Sequence, residues 1–242
     1  MNASALRDPA PPAYLPPAFS WAAPPSGQPV HDFACEIAAS LGAGTLTSRA
    51  GEAVLGIAIV LEPDEPLRQA RLAILTCMSA LADALGACAP PDKPVTLGWP
   101  DVIAFDAARI GGGRLGWPQG CSDDDVPDWL VFSAMLIASK AQAGDPGLTP
   151  GTTALDEEGF EPGVADQIVE AFARYLLLGF DALRDGGFGA AAKAYLRRLP
   201  DGRGCRIGAD GGLWTDDGRH FELARALAEP SWFDPHTGAP RL

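Results

Sequence analysis

Apolar residues along this chain follow two rhythms. Residues 54–61 (VLGIAIVL) and 129–138 (WLVFSAMLIA) are almost continuously apolar, the pattern of strands buried on both faces. Residues 44–47 form a shorter strand signal, separated from 54–61 by a tight turn at 49–52. Further on, 95–97, 102–105 and 109–115 are β-rich runs joined by the short turns Trp99-Pro100-Asp101 and Asp106-Ala107-Ala108, which reads as a meander. The other rhythm is helical. In residues 65–85, Leu67, Ile74, Leu75, Met78, Leu81 and Leu85 line one side, with Arg68, Arg71 and Asp83 off it. In residues 32–41, Phe33, Ile37 and Leu41 recur at four-residue spacing before Gly42, a C-cap candidate. Helices are also predicted over 164–183 and 188–199, with Gly186-Gly187 allowing a sharp reversal between them. Tyr175 and Tyr195 fall on their apolar faces and read as core.

These elements predict an α+β fold: a mixed or largely antiparallel central sheet covered by helices 65–85 and 164–183. After residue 201 the rhythm changes. Short β runs at 205–208, 212–215 and 220–223 are separated by Asp210-Gly211 and Asp217-Gly218 turns, giving a small C-terminal β appendage over 201–242 with Trp232 and Phe233 in its tail. Residues 1–30 are Pro/Ala-rich, favour extended conformation, and either wrap the domain through Tyr14, Leu15, Phe19 and Trp21 or stay loose. The main domain is therefore expected over 31–200.

The most chemically suggestive stretch is 95–118. Three successive glycines, Gly111, Gly112 and Gly113, permit close approach of a ligand or another chain segment, and Arg109 stands just before them. A guanidinium grips a carboxylate or phosphate through two parallel hydrogen bonds. The alternative is that Arg109 pairs with Asp101 or Asp106 while the glycines relieve crowding. Arg114 is a second candidate cation, or a surface strand arginine. Trp99 and Trp117 either wall a pocket or belong to the core.

Charge and cysteine content narrow the classes. A net charge of −13 argues against nucleic acid and anionic membrane surfaces as partners. No run approaches the length needed to span a bilayer and no secretory signal is evident, so a cytoplasmic location is expected. The five cysteines are scattered and lack a Cys-x-x-Cys pair, which argues for reduced thiols and against zinc, and Cys77 reads as packing. Asp123, Asp124, Asp125 and Asp128 read as a solvated loop, so no metal site is expected.

With those residues in view, the central stretch resembles the core of the biotin/lipoate–protein ligase family. There a Lys-Trp-Pro-Asn-Asp turn precedes a hairpin ending in Lys-x-Gly/Ala-Gly-Ile-Leu. Here Gly98-Trp99-Pro100-Asp101-Val102 is followed by Arg109-Ile110-Gly111-Gly112-Gly113-Arg114-Leu115, and Arg109 follows Trp99 by the same ten residues. The first Lys is Gly98, the Asn is Asp101, and the catalytic Lys is Arg109. The resemblance implies a class II synthetase-like fold over residues 30 to 200. It implies a catalytic role for Arg109 and substrate contacts from Trp99, Pro100, Asp101 and Gly111–Gly113. The implied function is a divergent ligase that attaches or handles a biotinyl, lipoyl or related acyl group on an acceptor protein, with biotin, lipoate or an acyl-adenylate as ligand. The alternative is a non-catalytic relative that binds such a ligand or serves as an accessory protein. The family's long Gly/Arg-rich loop is replaced by residues 48–51, which argues against ATP. No Pro-Cys-Gly motif of the octanoyl-transferring branch is present.

Overall fold

The computed structural model describes residues 10–144, 149–200 and 202–242; the first nine residues of the 1–30 segment and Asp201 lie outside them. The centre is a seven-stranded sheet in the order β1-β2-β3-β7-β6-β5-β4. Its strands are β1 (Ser20–Trp21), β2 (Thr45–Ala50), β3 (Val54–Leu61), β4 (Val95–Gly98), β5 (Val102–Phe105), β6 (Ala108–Gly116) and β7 (Leu130–Ile137). Only β1–β2 is parallel; all other neighbours are antiparallel. The α+β expectation holds, and the two continuous apolar runs are the adjacent central strands β3 and β7, paired over their whole length.

Period-2 alternation assigns the two faces. Leu55, Ile57, Ile59, Phe132, Ala134 and Leu136 point to one face, where they form the main core with α3 (Ala73–Cys88) and α4 (Val164–Leu196). Ala58, Val60 and Val131 point to the other, against α1 (Val30–Leu41). α1 seats Val30, Ala34 and Ala38 on the sheet, one position round from the expected Phe33-Ile37-Leu41 stripe, and Leu41 is 54% exposed. Small side chains win because the approach is close: a Cβ on Gly56 would lie 3.1 Å from Val30.

The expected helix 65–85 is two elements, α2 (Leu67–Ala70) and α3, broken at Arg71–Leu72. α3 is buried nearly all round, between sheet and α4, which accounts for an 18-residue window within 67–88 reaching a mean hydropathy of 1.4. Within α4, Gly187 leaves helical geometry (φ 66°, ψ −176°), and the chain returns along the first half, so Ala191 and Ala194 share a groove with Tyr175 and Leu178. That is the expected reversal. Tyr195 is fully buried, as expected, and Tyr175 partly so.

The proline-rich segment wraps the domain and also joins the sheet: Ser20 and Trp21 pair with Thr45 and Leu46. Leu15, Phe19 and Trp21 pack on the core, while Tyr14 is 77% exposed. β2 also runs through Arg49 and Ala50, two of the four residues of the turn expected at 49–52. Beyond residue 201, β8 (Arg206–Ile207), β9 (Leu213–Trp214) and β10 (His220–Phe221) form the expected small sheet. Residues 222–223, expected to extend the last strand, instead lead into a short helix, α5 (Leu223–Ala228). The expected tail is a hairpin, β11 (Phe233–Asp234) with β12 (Ala239–Pro240).

Candidate functional site

The β5–β6 hairpin turns through Asp106 (φ 48°) and Ala107 (φ 66°), both left-handed as a two-residue loop requires. A register shift between Ile103 and Ala104 leaves Ile110 as the extra residue on β6. Beyond this bulge the glycine run is packed by three different neighbours. A Cβ on Gly111 would lie 2.0 Å from the Met135 carbonyl oxygen of β7, and one on Gly113 would strike Met78 and Phe132 in the core. On the opposite face, a Cβ on Gly112 would sit 2.4 Å from the indole of Trp232. What approaches Gly112 is thus the C-terminal hairpin, with Trp232 fully buried against the sheet.

Charged groups ring that contact. Arg109 Nη2 donates to the Arg241 carbonyl at 2.8 Å, and Arg241 Nε in turn donates to the Phe233 carbonyl at 3.0 Å. The Arg114 guanidinium lies 4.5 Å from the centre of the Phe233 ring and 4.0 Å from Asp32 of α1. Burial lowers the pKa of both Arg109 and Arg114, and for Arg109 the neighbouring Arg241 charge adds to the effect. Three arginines therefore converge on one face of a chain with net charge −13. Arg109 pairs with neither Asp101 nor Asp106; Lys93 lies 3.9 Å from Asp106.

Asp101 is buried beside Trp232 and Tyr195. Burial pushes its carboxyl up to about 7, offset in part by the facing Trp232 N–H and its own backbone N–H. The indole contact is loose, however, and both Asp101 Oδ2 and Trp232 Nε1 lack a hydrogen-bond partner of good geometry. The Asp101 carbonyl accepts from Gly113 N–H at 2.8 Å, tying the Trp99-Pro100-Asp101 turn to the glycine strand. Trp99 itself turns away, towards Phe221 (ring centroids 6.4 Å apart), and Trp117 lies under Arg71. Of the expected site residues, Arg109, Asp101 and Gly112 meet around the hairpin; Trp99, Gly111 and Gly113 serve packing.

Sequence reasoning missed the partners that α1 brings to the same face. His31 Nδ1 lies 2.7 Å from Ser133 Oγ, and Cys35 Sγ lies 3.7 Å from His31 Nε2. Burial, aided by the Arg114 charge, holds His31 down at about 3, so the ring is neutral. Burial likewise raises Cys35 to about 11, keeping it a thiol. The available signal was a His and a Cys one helical turn apart, with Ser133 a lone polar residue inside the apolar run of β7. Lys140, at the end of β7, is also buried: its ammonium donates to the Thr152 carbonyl at 2.7 Å and pairs with Glu157 at 2.9 Å. It pins the 149–157 loop, whose Thr153 N–H donates to the Arg109 carbonyl.

Asp123 and Asp124 pair with Arg71 and Arg68 in the loop expected for them. A cavity of about 640 Å³ lies elsewhere, beneath α4 at the end of β3, with Leu61, Leu72, Phe180 and Phe188 in its lining. None of the three converging arginines lines it.

The sequence of residues 15–197 matches the model of the Biotin/lipoate A/B protein ligase family. The chain belongs to that family. No curated protein matches it in sequence. Among solved structures, this ligase-family chain is similar to a biotin protein ligase-like protein of unknown function from Silicibacter sp. TM1040. The two are 28% identical with a TM-score of 0.76, over 89% of this chain and 99% of that one. It also shares its fold with apo biotin protein ligase from Aquifex aeolicus (14% identity, TM-score 0.58, 76% and 87% of the two chains). The same Aquifex aeolicus enzyme in complex with biotin and ATP superposes similarly (11% identity, TM-score 0.57, 81% and 91%).

Proposed function

We propose that this family member handles a biotinyl, lipoyl or related acyl group on a partner protein, binding it on the β6 face with Arg109 as the cation. The observation that carries this reading is that Arg109 already holds a carbonyl oxygen, that of Arg241, beside Gly112, where the sheet has no side chain and an indole lies on the backbone instead. A guanidinium placed this way can take a carboxylate or acyl-phosphate oxygen and stabilise charge that develops there. The Aquifex aeolicus relative's complex with biotin and ATP supports a ligand of that class. ATP itself is disfavoured here, because β2 and β3 are joined only by Gly51, Glu52 and Ala53 and no long loop follows to close over an adenylate.

A second reading, a non-catalytic relative that binds such a ligand or serves as an accessory protein, draws support from Trp232, which fills the space above Gly112. Thermal shift with biotin, lipoate, octanoate, ATP and the matching acyl-adenylates tests both. A ligand at a hundred times its Kd adds about 2.7 kcal/mol of stability. Arg109→Ala should cost about 1.5–3 kcal/mol of that binding, while Arg109→Lys keeps part of it. Binding of an acyl-adenylate without transfer of its acyl group to an acceptor protein favours the second reading. Binding that ignores Arg109→Ala refutes the assignment of Arg109.

A further inference from the structure

We infer that residues 229–242 are a displaceable cap that occupies the acyl-binding face in place of a ligand, an inference that rests on the function proposed above. The hairpin imitates a ligand group by group. Trp232 lays an apolar body on bare Gly112, the Arg241 carbonyl gives Arg109 the oxygen a carboxylate would give, and the Phe233 ring covers Arg114. Part of the hairpin's bonding is internal. It closes through its own β11–β12 pairing and through Arg241 N–H to the Trp232 carbonyl at 2.7 Å. It joins the large core cluster through neither Trp232 nor Phe233.

Its fit to the face is incomplete in a telling way. Arg109 Nε and Arg114 Nε are buried without a hydrogen-bond partner where hairpin meets sheet, and Asp101 Oδ2 and Trp232 Nε1 face each other there only loosely. Each such atom bears a desolvation cost that nothing in the chain returns. A ligand carboxylate, or water admitted when the hairpin lifts, would satisfy the arginines. The cap works opposite to the family's adenylate-closing loop: it excludes the ligand, and its removal raises affinity.

Hydrogen exchange on the unmodified chain tests the opening directly. The amides of Gly238 and Arg241, bonded within the hairpin, should exchange at least a hundredfold faster than those of the β6–β7 ladder. Equal protection means a permanent core and overturns the inference, whatever binds. Ligand arms then use the full chain and Trp232→Ala, titrated with lipoate, biotin and octanoate. A tenfold or greater gain in affinity for Trp232→Ala, with hairpin exchange accelerating as wild type is saturated, is the expected result. Equal or weaker binding by Trp232→Ala shows that the hairpin helps to hold the ligand and refutes the cap. Fast hairpin exchange with no acid bound by either chain leaves the cap standing and removes the acyl reading instead.

Discussion

Replacing Asp101 by Asn gives the sharpest test of the buried face. The carboxyl is raised from an ordinary 3.8 to about 7, chiefly by burial. A raised folded-state value means the protein prefers the protonated acid, so stability is full below the unfolded value and is lost as pH rises towards 7. Roughly three pH units at 1.36 kcal/mol each give a ceiling of about 4 kcal/mol of destabilisation at about pH 8. Asn keeps the shape and discards the charge. His31 complicates the wild-type profile because its shift runs the other way, from 6.5 down to about 3 by burial and the Arg114 charge. Its contribution is present above 6.5 and is lost as pH falls, so the two groups offset each other across overlapping windows. The informative quantity is therefore the difference between Asp101→Asn and wild type, from urea denaturation at about pH 5.5 and about pH 8 at fixed ionic strength. The variant should gain on wild type by about 2 kcal/mol between those values. A difference that does not change with pH would show that Asp101 is ionised and solvated in the folded protein, and the account of this face would fail.

Three further outcomes follow from the same geometry. His31→Gln should remove acid sensitivity below about pH 6 and leave stability near neutral pH within about 1.5 kcal/mol, the worth of the Ser133 hydrogen bond; denaturant midpoints across pH read this. Lys140→Met should cost about 1–2 kcal/mol, given that Glu157 is partly exposed, and should deprotect the Thr153 amide selectively in hydrogen exchange. Ala107→Gly should stabilise by roughly 0.5–1 kcal/mol, because Gly bears the left-handed conformation without the Cβ cost, and thermal denaturation gives the sign at once.

The sheet and its covering helices were legible because their signals are local and physical. Two uninterrupted apolar runs had to be central strands, and short turns between β runs left only a meander. Side-chain size overrides periodicity in α1. α1 buries alanines because the sheet approaches closely, and that distance is a property of the partner. Arg109 and Gly112 were visible through spacing alone. Their neighbours were not, since Trp232 lies 120 residues beyond Gly112 and His31 meets Ser133 only through the stacking of α1 on β7. The fate of the glycine run was likewise hidden: one of its three open positions accepts an indole, one a backbone and one the core.

The short parallel pairing of β1 with β2 has a consequence for solubility. Arg49 donates to the carbonyls of Pro24, Pro25 and Gln28, holding the proline-rich segment along the rim of the sheet. A six-residue strand such as β2, left bare, would offer its outer amides and carbonyls to any passing strand of another molecule. Here that template is covered by two residues embedded among prolines, which cannot themselves donate to a further strand. The segment that looked least structured thus acts as a guard against edge-to-edge aggregation, and it does so because proline ends a ladder.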